Sequence, residues 1–461
     1  MWSNGSSSSW YRSTTVARLI SEILLVFILL RGINSATASA ISQGDTTGRD
    51  LLFITVSSIK ESNIEFNWKF TGEDPPTRLE LFSNEPIQRS NAMVSLDVSH
   101  EKEGYYVTKT RFANYSLPGG WEKSSMSVQK PQRGKHCLNY WLAAYRNNYL
   151  VQKQCLSIQP TWMKDNGERI GDLPLTQMFI PGTHNSGCYD LNPDADVKIK
   201  ALDKYLYNQD KDIWTQLVFG IRYLDVRIGY YNTSVTPDSF WVNHDVFLVS
   251  PLLDMLRDIK LFLSKAQDEI VVMDIHRFPV GFKNRKRHHQ LVDLLQKEIG
   301  DIAIPRYFQK SPDGPTLNEL WKQKKRLIIC YADTTSAINS DILWDAISQK
   351  WGNQQSVEGL KSYIDNANSN HVSPNNNNLW AAMAELTPST ASVLLGILSS
   401  KRSLGHMADS VNRNLTAWYR EEWCGVANIV ATDFFLSNDI INVAIDCNLR
   451  KTNVSAEHYW R

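Results

Sequence analysis

The chain has 461 residues, 42% apolar and 21% charged, with Lys+Arg 49 against Asp+Glu 48. That composition can bury real cores, which excludes a disordered or collagen-like chain, and a formal charge of +1 supplies no overall basic field for nucleic acid. Six cysteines without a CxxC pair give no support to a zinc ribbon or a thioredoxin-type site.

Residues 1–22 are polar and Ser-rich, followed by an apolar run over 23–30 and a small-residue stretch over 35–40, with Arg12, Arg18 and Arg31 as flanking charges. Basic flank, short apolar centre and A-x-A-like tail predict a secretory signal peptide over 1–40, cleaved near Ala38 or Ala40. A spanning helix needs about 20 apolar residues, so an uncleaved anchor is the weaker alternative. A secreted or lumenal chain is open to disulfides and N-glycans. Sequons stand at Asn114, Asn232, Asn414 and Asn453. Cys137 and Cys155 flank two strand-like runs joined by Arg146-Asn-Asn148, so folding that hairpin predicts a cross-strand bridge. Two unpaired buried thiols are the alternative.

From 51 to 160 short runs at 52–56, 64–70, 79–82 and 105–108 are β-branched and aromatic, and Gly-Glu-Asp-Pro-Pro and Leu-Pro-Gly-Gly punctuate them. The pattern predicts a small antiparallel β-sandwich. From 161 to 461 strand and helix patterns alternate. Strands are expected at 178–180, 221–228, 240–246, 269–278, 326–332, 379–386 and 428–435, with helices at 251–266, 289–299 and 439–449. Seven or so strands with intervening helices suit a TIM-like (β/α) barrel with room for irregularity. A doubly wound open sheet is the runner-up, and no GxGxxG or GxxxxGK[ST] opens a helix to favour its nucleotide-binding forms.

Four polar sets lie at or near strand ends, where a barrel carries its active site. The first is Pro181-Gly-Thr-His-Asn-Ser-Gly187, with His184 at the rim. The second is Ile221-Arg-Tyr-Leu-Asp-Val-Arg-Ile228, where strand parity sets Tyr223, Asp225 and Arg227 on one face. Asn243-His-Asp245 and Asp274-Ile-His-Arg277 complete them. Each alone reads as a structural histidine or an internal salt bridge. Together they offer two imidazoles for general base and acid work and a guanidinium suited to phosphodiester oxygens. HExxH is absent.

The stretch from 173 to about 446, carrying these boxes together with Glu269-Ile-Val-Val-Met-Asp-Ile-His-Arg-Phe-Pro-Val-Gly-Phe282 and Val430-Ala-Thr-Asp-Phe-Phe435, resembles the phosphatidylinositol-specific phospholipase C X-domain family. The likeness is to its metal-independent, two-domain, exported-looking members. It implies His184 as general base, His244 as general acid, Arg227 and Asp225 on the phosphate and attacking hydroxyl, and Asp433 orienting His184. Asn185, Asp274 and His276 are expected to bind substrate. Tyr223 stands where calcium-dependent relatives have Glu, and Arg227 where metal-independent members have arginine, so neither metal nor cofactor is expected. Asn185 stands where those members often have Asp.

The implied activity is a phosphoric diester hydrolase acting on an inositol phospholipid or glycolipid. The rivals are a metal-dependent phosphodiesterase on a similar barrel, such as a glycerophosphodiesterase or a sphingomyelin-cleaving enzyme, and a silent lipid- or glycan-binding protein. A peripheral membrane contact is expected from the 278–289 segment, where Phe278 and Phe282 lead into Lys283-Asn-Arg-Lys-Arg-His-His289.

Overall fold

Seven strands form where apolar and β-branched residues alternate or run together in the first third of the chain. In the computed structural model the described residues are 50–458 apart from 60, 88–90, 114, 126–129, 191–202, 233–238, 312–313, 372–377, 390–392 and 394–402. The expected signal segment and the sequon at Asn114 lie outside them. The strands are β1 (Leu51–Val56), β2 (Asn63–Lys69), β3 (Arg78–Phe82), β4 (Val94–Asp97), β5 (Glu103–Arg111), β6 (His136–Arg146) and β7 (Tyr149–Ile158). They build two antiparallel sheets, ordered β1-β2-β5 and β4-β3-β6-β7. Ile54, Phe66 and Trp68 of the first sheet and Leu79, Leu81 and Leu142 of the second belong to one buried cluster. Asn147 and Asn148 between β6 and β7 have φ of 47° and 65°, the left-handed pair that a two-residue hairpin turn demands. Cys137 and Cys155 are bridged, with Cα atoms 5.6 Å apart.

The remainder is a parallel barrel. Its strands are β8 (Ile180–Thr183), β9 (Tyr223–Tyr230), the antiparallel excursion β10 (Phe240–His244) and β11 (Phe247–Pro251), then β12 (Val271–Arg277), β13 (Leu327–Tyr331), β14 (Leu343–Asp345), β15 (Ser348–Lys350), β16 (Trp380–Met383) and β17 (Ile429–Thr432). The order around the ring is β14-β13-β12-β9-β8-β17-β16-β15, with every neighbouring pair parallel. β14 and β15, three residues each, share no ladder with one another, so the barrel is irregular, with an open seam. Helices Ile213–Phe219, Leu252–Lys265, Arg285–Ile299, Val357–His371, Leu404–Glu421 and Ile440–His458 connect or follow the strands. Tyr223, Val272, Ile328, Cys330, Met383 and Ala431 fill the interior, while Leu224, Val226 and Ile228 pack outward with Leu256 and Ile259 of the Leu252–Lys265 helix. Strand parity in β9 is therefore the one its sequence predicts.

The sandwich is welded to this barrel. Trp121 meets Trp214 and Phe262 at ring separations of 6.4 and 6.1 Å, and burial of each such side chain contributes about 1.5–3 kcal/mol. Arg413 of the Leu404–Glu421 helix pairs with the buried Glu65 of β2 at 3.3 Å and stacks over Tyr105. Among the described residues no helix is long and apolar enough to cross a membrane.

Several expectations shift. β4, β11, β14 and β15 were not anticipated; three of the four have no apolar alternation longer than a few residues. The strand expected at 178–180 runs instead through Pro181 and Gly182. Parallel-strand N–H groups alternate between neighbours: those of Ile180 and His184 reach Asn428 and Thr432 on the β17 side. Position 181 therefore faces β9, where pairing begins only at Gly182, and proline loses no bond there. The helix expected from 289 begins at Arg285. A second disulfide joins Cys424, just past the Leu404–Glu421 helix, to Cys447 within the Ile440–His458 helix, a pairing that no sequence spacing marks.

Candidate active site

The site is assembled from turns at one end of the ring. Gly182 has no room for a side chain, since a Cβ would lie 2.6 Å from the Tyr223 ring. That close approach sets β8 tight against β9 and brings His184 beside Arg227. Asn185, the next residue, has φ 43°, a left-handed conformation that asparagine tolerates well, and its N–H donates to Asp225 Oδ2 at 2.8 Å. His244 ends β10 and is likewise followed by a left-handed residue, Asp245 at φ 51°. In both cases a sharp turn presents the imidazole at an element's end.

His184 is buried and held from three sides. Its Nδ1 donates to Asp433 Oδ1 at 2.8 Å, and Asn208 Nδ2 donates to both oxygens of Asp433 at 3.0 and 3.1 Å. Arg227 Nη2 donates to its Nε2 at 3.2 Å. Glu385 Oε1 and Asp225 Oδ2 each lie 4.0 Å from that nitrogen. Burial disfavours a charge on His184, but Glu385, Asp433 and Asp225 outweigh it and push the imidazole up to about 9. His244 behaves oppositely. Its Nδ1 donates to Leu206 O at 2.8 Å; burial, with Arg227 and His184 nearby, takes it down to about 4 against that bond. The two imidazoles thus prefer opposite charge states in the free site.

Asp225 turns both oxygens to protein groups. Oδ1 lies 2.6 Å from His276 Nδ1 and accepts from Gln349 Nε2 at 3.0 Å, while Oδ2 takes the Asn185 N–H. Burial would raise this carboxyl, yet His276, His184 and Arg227 hold it far below the usual range. Asp274 Oδ2 accepts from Tyr223 Oη at 2.8 Å and from Gln349 at 3.0 Å; burial and Asp225 push it up to about 6. Asp274 and His276 thus reach the site through Asp225, Tyr223 and Gln349. All eight residues singled out from sequence fall in this one region. Asn208, Gln349 and Glu385 join them unannounced: the first two are amides without a motif, and Glu385 was read as part of an apolar strand. A lone acid in such a run was the available signal.

The expected membrane segment is arranged differently from its sequence reading. Phe278 and Phe282 are not exposed tips; they pack on one another at 4.7 Å and on His288 and Tyr331. Arg287 stacks over Tyr230. The exposed apolar pair near the site is Phe247 and Leu248, 51% and 39% exposed, directly after the His244–Asp245 turn.

No protein-family model matches the chain. Curated proteins do. PI-PLC X domain-containing protein 1 of Homo sapiens is 27% identical over 324 residues, covering 66% of this chain and 96% of its own length. PI-PLC X domain-containing protein 3 of Mus musculus is 25% identical over 311 residues, covering 62% and 92%. The chain is thus similar to the PI-PLC X domain-containing proteins over about two thirds of its length. Among solved structures, a Staphylococcus aureus phosphatidylinositol-specific phospholipase C aligns at 18% identity with a TM-score of 0.47, over 63% of this chain and 97% of that one. The phosphatidylinositol-specific phospholipase C of Listeria monocytogenes aligns at 20% identity with a TM-score of 0.46, over 62% and 98%. About a third of this chain lies outside the aligned share.

Proposed function

We propose that this protein is a phospholipase C-like phosphodiesterase that cleaves an inositol phospholipid or glycolipid without a metal. The observation that carries the reading is His184, tied by Nδ1 to Asp433 and facing Arg227 with Nε2, with a second imidazole, His244, close enough to feel both. Among the described residues Arg227 Nε is buried without a hydrogen-bond partner, a donor left for a phosphate oxygen.

In the proposed reaction the inositol 2-hydroxyl attacks phosphorus. The O–P bond forms as His184 Nε2 takes the hydroxyl proton, the P–O bond to the glycerol breaks, and His244 Nε2 gives a proton to the departing diacylglycerol oxygen. The product is a 1,2-cyclic phosphate. Asp433 and Asn208 keep His184 in one tautomer. Asp225, saturated by protein donors, anchors the His184–Asn185 turn rather than taking the hydroxyl itself. In the free site the proton favours His184, whereas the reaction needs His184 neutral and His244 charged; an anionic phosphodiester beside Arg227 raises His244 toward that state. General acid–base work contributes about 10²–10⁴-fold, and the fixed guanidinium adds electrostatic stabilisation of the phosphorane-like transition state.

Two disulfides support an oxidising compartment, in keeping with a secreted or lumenal enzyme. Phe247 and Leu248, with the exposed Lys283 and Lys286, support a peripheral contact with an anionic membrane. The test is incubation of purified protein with phosphatidylinositol and its glycosylated analogues, with and without excess EDTA. Release of diacylglycerol and a cyclic inositol phosphate, unaffected by EDTA, is expected. A strict metal requirement favours the metal-dependent rival, and binding without turnover favours the silent one.

A further inference from the structure

Four carboxyls surround the mouth, and three are occupied. Asp433 accepts from His184 and Asn208, Asp225 from Asn185 and Gln349, and Asp274 from Tyr223 and Gln349. Glu385, two residues beyond β16, is different. It is 4% exposed, yet neither of its oxygens has a hydrogen-bond partner among the described residues. Buried polar atoms left in that state call for a ligand. The groups that face it are His184 after β8, Asp433 after β17, Asp225 and Arg227 on β9, and Tyr363 on the Val357–His371 helix.

Those neighbours restrict the ligand. A phosphate oxygen is repelled by the carboxyl set and has Arg227 to take it. An ammonium group is repelled by Arg227 and by His184 when charged. A neutral donor suits both signs, and hydroxyls are the neutral donors of a polyol headgroup. The 4.0 Å between Glu385 Oε1 and His184 Nε2 is too long for a direct bond but seats a ligand hydroxyl beside the one that faces Nε2. The two oxygens of one carboxyl can also take two neighbouring hydroxyls of a ring.

We propose that Glu385 is the headgroup-reading residue of the site, accepting hydroxyls of a polyol ring next to the attacking hydroxyl and so selecting polyol over amino-alcohol headgroups. This rests on the phosphodiesterase reading above. It has a protonic consequence. Burial, together with Asp433 and Asp225, pushes Glu385 up to about 8 against the pull of His184 and Arg227. Hydroxyl donors favour the ionised carboxyl, so polyol binding near pH 7 releases a proton from it.

The test is calorimetric titration of the full chain at pH 7 with myo-inositol 1-phosphate and separately with inorganic phosphate, in two buffers of different ionisation enthalpy. Wild type should prefer the inositol ester. Glu385→Ala and the isosteric Glu385→Gln should each bind the ester about tenfold or more weakly, release less proton on binding it, and bind inorganic phosphate unchanged. Should the alanine variant fail to fold, the glutamine variant carries the result. Wild-type affinity and proton release in Glu385→Gln overturn the proposal alone, as does an equal loss toward both ligands, which marks a structural role. A wild type without preference for the ester overturns the phosphodiesterase reading and this proposal with it.

Discussion

Arg222 and Arg227 lie on the same run of chain, the first just before β9 with outward parity, the second within β9 with inward parity. Arg222, before β9, is fully buried and saturated. Its Nε and Nη2 donate to Glu269 Oε2 at 2.9 and 2.7 Å, its Nη1 to Leu217 O and Ile221 O, and its Nη2 to Pro160 O. Glu269 also accepts the N–H groups of Met163 and Lys164. Arg227, further along the strand, places Nη2 3.2 Å from the His184 imidazole and, among the described residues, leaves Nε without a hydrogen-bond partner. In sequence only Arg227, two residues after Asp225, suggests an acid partner. The difference teaches that a polar group whose capacity is exhausted by its own chain serves the fold, while one left short is reserved for something that arrives later. It also matches the division of barrels into a stability end and a chemical end.

Four experiments break or sharpen this contrast. The largest effect is expected at the saturated end: Arg222→Ala strands Glu269 without its countercharge and should cost about 3–5 kcal/mol of stability, read as a lowered denaturant midpoint. A variant of wild-type stability undoes the contrast. At the open end, His184→Ala or His244→Ala should lower kcat/KM roughly 10²-fold or more, and near-normal turnover by either folded variant removes that histidine from the mechanism. The wild-type profile should be bell-shaped, falling on the acid side toward about 4 and on the alkaline side toward about 9, the two limbs belonging to the imidazole pair. Stability has its own sign: His184 is raised above its ordinary value, so its contribution is complete below about 6.5 and fades as pH rises toward 9, a slope that His184→Ala should flatten in melting curves.

Arg227→Lys ranks next. Charge remains but the fork is lost, so activity measured in EDTA should drop about tenfold or more with the midpoint unchanged; full activity means that charge alone suffices there. The smallest effect concerns the membrane. Since Arg287 stacks on Tyr230 and Arg285 faces Asp333 at 3.9 Å, reversing all four cations of the segment would disturb packing as well as charge. Lys283→Glu with Lys286→Glu, and separately Phe247→Ser, should weaken binding to anionic vesicles, about 1 kcal/mol per cation, while sparing a soluble monomeric substrate. Equal losses on both substrates identify fold support instead of contact with lipid.

Much of the candidate site was legible because its histidines, Asp225 and Arg227 sit in polar boxes that a barrel strand does not otherwise tolerate, whereas Asp433, amid Val430-Ala-Thr and Phe434-Phe435, was expected only from the family resemblance. Asn208 and Gln349 were not, since an amide earns its place only through the partners that folding brings near it. Glu385 was hidden by its own burial: an acid flanked by Ala384 and Leu386 reads as a strand end. In the fold, long alternating strands were plain, whereas three-residue strands such as β14 and β15 hold their place through neighbours rather than propensity. Phe278 and Phe282 misled because apolar residues beside lysines read equally well as a membrane tip or as a stacked plug.

The open seam between β14 and β15 leaves the ring without a continuous backbone hoop. What spans the interior instead is one side chain: Gln349 on β15 donates to Tyr223 Oη, Asp225 and Asp274 on the far wall, each at 3.0 Å. The two sides of the seam are therefore tied at the mouth by an amide, a fastening that can be lengthened or cut without breaking a strand pair.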